Sequence, residues 1–317
     1  MQRSHLNIVL FKEDAIWSTN YFEKTLLSII SDMQAVPHLF VKRPGNDFSR
    51  NRKISFSDII RFLLSMNGNT VRKEWMQFWD FQTEMASVPA FFQRRQKILP
   101  VSMDFLFHSF SESFAGLETY RGYCLLACDG SDLAVSYNPK DKETHRRHNS
   151  LERNEKGYNQ LHLKAIYDLQ NRIYTDVIIQ PGRYPNETGA LLDMMKIKEP
   201  VLLIVDLGYE SYNLLVHAQE KGWKFLIRAK DLESRGILTH LPIPDSGTFD
   251  CPISLILTRK QTEEIKSQPQ VYRCLTNKTD CDFIDPVQNP FCTLHFRELK
   301  YTVGLRNFHA KKVEYIQ

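Results

Sequence analysis

The run VLLIVDLG, residues 201–208, constrains this 317-residue chain more than any other stretch. Five apolar residues follow one another without alternation, as in a strand covered on both faces of a sheet. The run then ends on Asp206. A carboxylate beside an apolar strand is costly unless something pairs with it, so Asp206 has either a hydrogen-bonding partner or a cation to hold. The neighbouring segments narrow the topology. YCLLACDGSDLAV, from Tyr123, reads as a strand broken or bent at Gly130, and LHLKAIYDL and IYTDVIIQ are two β-rich runs joined by QNR as an antiparallel hairpin. Residues 186–197 read as a helix capped by Asn186, SYNLLVHAQEKG as a helix closed by Gly222, and KFLIRAK as a further strand. Three strands followed by helix, strand, helix, strand is the order of a ribonuclease-H-like mixed sheet with flanking helices. Other α/β folds begin with alternating units.

The flanking regions differ in pattern. Residues 1–115 read as a helical N-terminal region. SFSDIIRFLLSM has Ser55 or Ser57 as N-cap and apolar residues at 59, 60, 63 and 64 on one face. NGN at 67–69 stops it, VRKEWMQFWDFQTEM follows, and Ser87 with Pro89 opens AFFQRRQKIL. The stripe Trp75, Phe78 and Trp79 reads as packing. After the α/β core at 116–230, residues 231–290 hold six prolines and short β-prone pieces, CPISLILT and QVYRCLT, and read as a small β-rich insertion. Residues 291–317, from TLHFRELK, read as helical at first.

Charge points to a partner. The net charge is only +4, but Lys42 to Lys97 contain 11 Lys and Arg against 5 Asp and Glu. That excess suits a nucleic-acid partner, with a solvated basic face as the plain alternative. Arg94, Arg95 and Lys97 fall on the polar side of a helix, where they could meet phosphates. No apolar run approaches the ~20 residues needed to cross a bilayer, and no secretory leader is legible at the N-terminus. The six cysteines form no CxxC pair, which argues against a zinc ribbon and suits a reducing cytoplasm. No phosphate-binding glycine loop and no G-x-S-x-G elbow occurs. HRRHN, with His145 and His148, reads as phosphate contact or plain solvation, because carboxylates and thiols are missing nearby.

The chemistry is then read from two aspartates. Asp129 and Asp206 both come late in an apolar run. In a ribonuclease-H-like sheet the first and fourth strands are parallel neighbours, which brings the two acids side by side. Carboxylates that close repel, and a shared Mg²⁺ or Mn²⁺ removes the repulsion. Two such ions can activate a water and stabilise a leaving oxygen in phosphoryl transfer. The competing reading is structural: Asp before Gly at a strand end is a common turn device.

DGSDL, GYNQLHLKAIYDLQNRIYTD, DLGYES, GWKFLIRAKD and FRELKYTVGLRNFHAKKVEYI together resemble the DDE transposases of bacterial insertion sequences, in the cut-and-paste branch called the insertion-sequence-four family. SRNRKISFSDIIRFLLSMNGN and SVPAFFQRRQKI resemble that family's helical region. The resemblance implies a ribonuclease-H-like core in which two Asp and one Glu hold two Mg²⁺ ions. It places the first two acids on Asp129 and Asp206. Leu207 stands where the family's D-R-G-Y has Arg. The resemblance also implies double-stranded DNA, terminal repeats and target, as partner. Lys300 would be a phosphate contact, and Arg50, Arg52, Lys53, Arg94, Arg95 and Lys97 would be a basic grip on the transposon end. A homodimer is left open, a membrane is not implied, and the setting is the bacterial cytoplasm, at the nucleoid when DNA is bound.

The family's third acid is missing. Counting back from Lys300 puts Thr293 in place of Glu, Asn289 in place of Arg and Pro286 in place of Tyr. An internal deletion upstream of Phe296 and a shortened C-terminus are the reading of that gap. On a helix, Glu298 would sit about 140° round from the required position. A defective transposase is therefore expected. The rivals are a non-catalytic DNA-binding remnant that occupies terminal repeats or poisons a partner, and a nuclease that has recruited Glu298.

Overall fold

Ser55 settles where the second helix begins: its hydroxyl accepts from the Asp58 amide at 3.0 Å and the Asp58 carboxylate accepts from the Ser55 amide at 2.8 Å. This reciprocal cap satisfies two orphan donors at once. In this computed structural model the described residues are 19–147, 156–183, 185–229, 236–241, 243–244, 247–302 and 312–316. The chain divides into two compact units, residues 1–113 and 114–317. The first contains α1 (Thr19–Ala35), α2 (Phe56–Ser65), α3 (Val71–Phe78), α4 (Val88–Arg95) and α5 (Val101–Glu112). Ser87 caps α4 by accepting from the Ala90 amide, with Pro89 in the first turn. Trp75 is fully buried, edge-on to Phe62 at 4.7 Å, and its indole donates to the Ala86 carbonyl at 2.6 Å. The aromatic stripe is thus core. Among the described residues no helix is long and apolar enough to cross a membrane.

The second unit is built on β1 (Cys124–Val135), β2 (His145–Arg146), β3 (Tyr158–Asp168), β4 (Ile173–Pro181), β5 (Val201–Val205), β6 (Lys224–Arg228), β7 (Phe249–Thr258), β8 (Tyr272–Cys274), β9 (Phe291–Thr302) and β10 (Lys312–Ile316), with α6 (Glu187–Met194), α7 (Tyr212–Glu220) and a short α8 (Glu263–Lys266). β3 lies antiparallel between β1 on one edge and β4 and β2 on the other. β5 and β6 then follow β1 in parallel. The order β4-β3-β1-β5-β6 is the ribonuclease-H-like arrangement that the element order implied. Asn186 caps α6 by accepting from the Gly189 amide, and Gly222, at φ +68, lets the chain turn out of α7. Leu126, Leu203, Val205, Leu215 and Phe225 are among the buried residues of one continuous core.

Two local expectations change. Gly130 neither breaks nor bends a strand end: β1 runs through it, paired with Lys164 of β3. The β-rich character expected of residues 231–290 is present in β7 and β8, and it continues the sheet: β7 pairs with β9, β9 with β10 and β10 with β6. Residues 291–302 form β9, where a helix was expected. Leu294, Phe296, Glu298 and Lys300 are buried in strict alternation with more exposed neighbours, which is the period of a strand. The register with β7, from Phe249↔Lys300 to Thr258↔Phe291, selects that period over the helical one. Short apolar segments take the structure their partners impose.

Candidate active site

The parallel pairing of three neighbouring strands ends at one level: β5 stops at Val205 and β6 at Arg228, while β1 runs on to Val135. Cys128 pairs with Val205, and Val205 with Ile227. All three are buried. The next residue on each strand therefore points to the opposite face. Those residues are Asp129, Asp206 and Arg228, and all three are exposed. Adjacent strands stand about 4.8 Å apart, so the row is carboxylate, carboxylate, guanidinium along one edge. Sequence reasoning found the first two. It missed Arg228, although the alternation in KFLIR, with Phe225 and Ile227 turned inward, was a usable signal.

Each carboxylate has local company. Asp129 Oδ1 accepts from the Gly130 amide at 2.7 Å. Asp206 Oδ1 is 3.8 Å from Arg228 Nη1, with side chains 69% and 60% exposed respectively. Asp206 stands at the head of a 3-10 turn, Leu207–Tyr209, but its carboxylate does not cap it. The turn is closed by the backbone instead, the Tyr209 amide donating to the Asp206 carbonyl at 3.1 Å. Neither acid is thus consumed as a turn device. Two hard oxygen donors on one exposed edge match what Mg²⁺ or Mn²⁺ accepts.

The opposite face at the same level carries a buried polar chain. Lys164, fully buried, donates from Nζ to Glu187 Oε2 at 3.0 Å and to the Tyr209 hydroxyl, and its Nζ lies 4.4 Å from the centre of the Tyr209 ring. Cys128 Sγ is 3.7 Å from the same hydroxyl. His162 meets Asp132 at 2.9 Å through Nδ1, and its Nε2 is 3.9 Å from Glu187 Oε1. Burial pushes the Cys128 thiol up to about 11 and the Tyr209 phenol well above its ordinary value. The hydrogen bond from His162 holds Asp132 below the usual carboxylate range. The one sequence hint was a lysine interrupting the apolar rhythm of β3.

The remaining sequence-predicted residues separate. Lys300 is 5% exposed on β9, 5.6 Å from the Phe249 ring centre, so it offers no phosphate contact from a helix surface. Glu298 is fully buried on the same strand. Arg228 is in register with Tyr315 and Tyr315 with Leu299. Leu299 therefore shares the aspartate face, and Glu298 lies on the other one. Among the described residues no group of three His, Cys, Asp or Glu forms a metal cluster. In the helical unit, Arg50, Arg52, Lys53 and Arg95 are exposed. Arg94 is drawn inward: it donates to the Ile54 carbonyl at 2.6 and 3.2 Å and lies 4.2 Å from the Phe48 ring centre. Lys97 Nζ is 3.3 Å from Asp47. Arg52, Lys53, Arg94 and Lys97 nevertheless line one recess of about 580 Å³. His145 is engaged within the fold, its Nδ1 3.2 Å from Asn159 Oδ1, while His148 lies outside the described residues.

Strand order defines a ribonuclease-H-like core, with Asp129 and Asp206 exposed at one level of two neighbouring strands. The family described as transposase DDE domain matches residues 120–280, about half of the chain, and this protein belongs to that family. Among solved structures the chain is similar to a piggyBac transposase synaptic complex with hairpin DNA, at 12% identity and a TM-score of 0.30 over 96% of this chain. It spans 53% of that chain, about half its length. No curated protein matches the sequence.

Proposed function

We propose that this chain derives from a cut-and-paste DNA transposase of the insertion-sequence-four type. Asp129 and Asp206 hold Mg²⁺ or Mn²⁺, and this copy has lost strand transfer for want of a third carboxylate. The observation that carries the reading is the register that sets both aspartates on neighbouring strands, on one exposed face. A bound divalent ion supplies Lewis acidity toward a water and a leaving oxygen. The chain's own residues would do the rest: Asp129 and Asp206 would hold the ion, and Arg228, 3.8 Å from Asp206, balances that carboxylate. An exposed pair of that kind is worth at most about 1 kcal/mol, so Asp206 would be free to turn to an ion and Arg228 to a DNA phosphate. Glu298 faces the core and does not complete the set, and a reaction that needs its groups within a fraction of an ångström does not survive that gap. The internal deletion upstream of Phe296 is part of the same proposal.

The test is Mn²⁺ titration followed by electron paramagnetic resonance, alongside incubation of supercoiled plasmid with Mg²⁺. Mn²⁺ binding that disappears in Asp206→Asn, with plasmid left uncut, is the expected result. An absence of Mn²⁺ binding overturns the metal assignment, and robust cutting abolished by Asp206→Asn overturns the loss of strand transfer.

A second reading, a DNA binder without catalysis, is favoured by the exposed basic residues of the helical unit. Binding to duplex DNA should then fall steeply with salt as counterions are released. The double variant Arg52→Ala, Lys53→Ala should reduce that slope by about 2. Lack of binding at low salt removes the reading.

A further inference from the structure

We propose that Lys164 is a positioning residue for the aspartate edge: its buried ammonium ties the turn carrying Asp206 to the strand pair carrying Asp129, and so sets the gap between the two carboxylates. The inference rests on the metal reading above for its purpose, but not for its geometry.

Asp206 opens a single 3-10 turn that Tyr209 closes. Such a turn, held by two backbone hydrogen bonds of 3.1 and 3.4 Å, the latter from the Glu210 amide to the Leu207 carbonyl, is too short to be rigid on its own. Tyr209 is buried, and its hydroxyl and ring both meet Lys164 Nζ. Lys164 is in register with Gly130, the residue after Asp129. Its countercharge is Glu187, in the first turn of α6. One ammonium therefore joins β3, α6 and the Asp206 turn, directly behind the two carboxylates.

Stability does not account for the choice of lysine. Removing an ammonium from water costs several kcal/mol, and apolar residues of similar volume in such places are often neutral or stabilising. Gly130 shows how closely the charge is brought to β1: a Cβ there would lie 3.0 Å from Lys164 Nζ and 2.8 Å from His162 Nε2. The strand gives up a side chain beside Asp129 to make that room.

The test is Lys164→Met in the full chain, with Ile166→Val on the same strand as control. Hydrogen exchange at the amides of 207–210 should accelerate at least tenfold in Lys164→Met, with Leu203 unchanged and neither segment affected in the control. Mn²⁺ affinity should fall between about 10- and 100-fold, the range for residues that orient metal ligands. The sign is decisive, because deleting a nearby positive charge by itself tightens cation binding. Affinity that is unchanged or higher, or exchange at 207–210 that is unchanged, overturns the proposal. Should the wild-type chain not bind Mn²⁺, the metal reading fails and the exchange measurement alone decides whether Lys164 anchors the turn. Should Lys164→Met not fold, Tyr209→Phe keeps the ring, removes only the hydroxyl, and must shift the same readouts in the same direction.

Discussion

Replacing Gly130 by alanine puts a methyl where the fold has left no space for one. The new carbon would lie 2.8 Å from His162 Nε2, 2.9 Å from His162 Cε1 and 3.0 Å from Lys164 Nζ. Relaxed contacts to carbon fall at about 3.5–4.0 Å. Neither neighbour yields freely, since Asp132 holds the imidazole at 2.9 Å and Glu187 holds the ammonium at 3.0 Å. Overpacking of this kind costs about 1–3 kcal/mol. Gly130 is not among the glycines with positive φ, so alanine meets no backbone strain there. Its smaller unfolded-state entropy returns about 0.4–1 kcal/mol. The net expectation is a loss of about 1–2 kcal/mol, read from urea unfolding followed by far-UV circular dichroism. In a His162→Ala background two of the three contacts vanish, and the cost should drop by at least about 1 kcal/mol, a coupling normal for touching residues. An equal cost in both backgrounds would refute the packing argument.

Two further measurements bear on the helical unit. Trp75→Ala should cost about 3–5 kcal/mol of unfolding free energy, as for other fully buried aromatics, and a loss under about 1 kcal/mol would show that the Phe62–Trp75 cluster does not hold the unit together. Asp47 is buried, which by itself raises its pKa, but hydrogen bonds from Arg43 and Lys97 carry it below its ordinary 3.8. A carboxylate depressed in the fold adds stability that is full above 3.8 and is lost as pH falls through the lower folded value. Acid titration of unfolding should therefore show a loss beginning below about pH 4 that Lys97→Met reduces, and an unchanged acid limb in that variant would contradict it.

How legible all this was depended on how local the deciding physics was. Ser55, Asn186 and Gly222 announce helix ends because caps and left-handed turns act within a few residues. The apolar runs at 124–128 and 201–205 announce covered parallel strands for the same reason. Even the adjacency of the strands that lead to Asp129 and Asp206 followed, since the element order leaves only a few sheet topologies open. Residues 291–302 were misread because the buried positions Leu294, Phe296, Glu298 and Lys300 mix apolar and charged types, and only the partner strand β7 reveals their alternation.

Sequence by itself determined the ribonuclease-H-like order, the basic excess of the first unit and the two aspartates, each a matter of spacing along the chain. Tertiary structure alone decided that Arg228 completes the row, that Glu298 and Lys300 turn into the core, and that Lys164 stands behind the carboxylates. These depend on register between strands distant in sequence, where a shift of one residue exchanges the two faces of a sheet. A linear pattern does not carry that information.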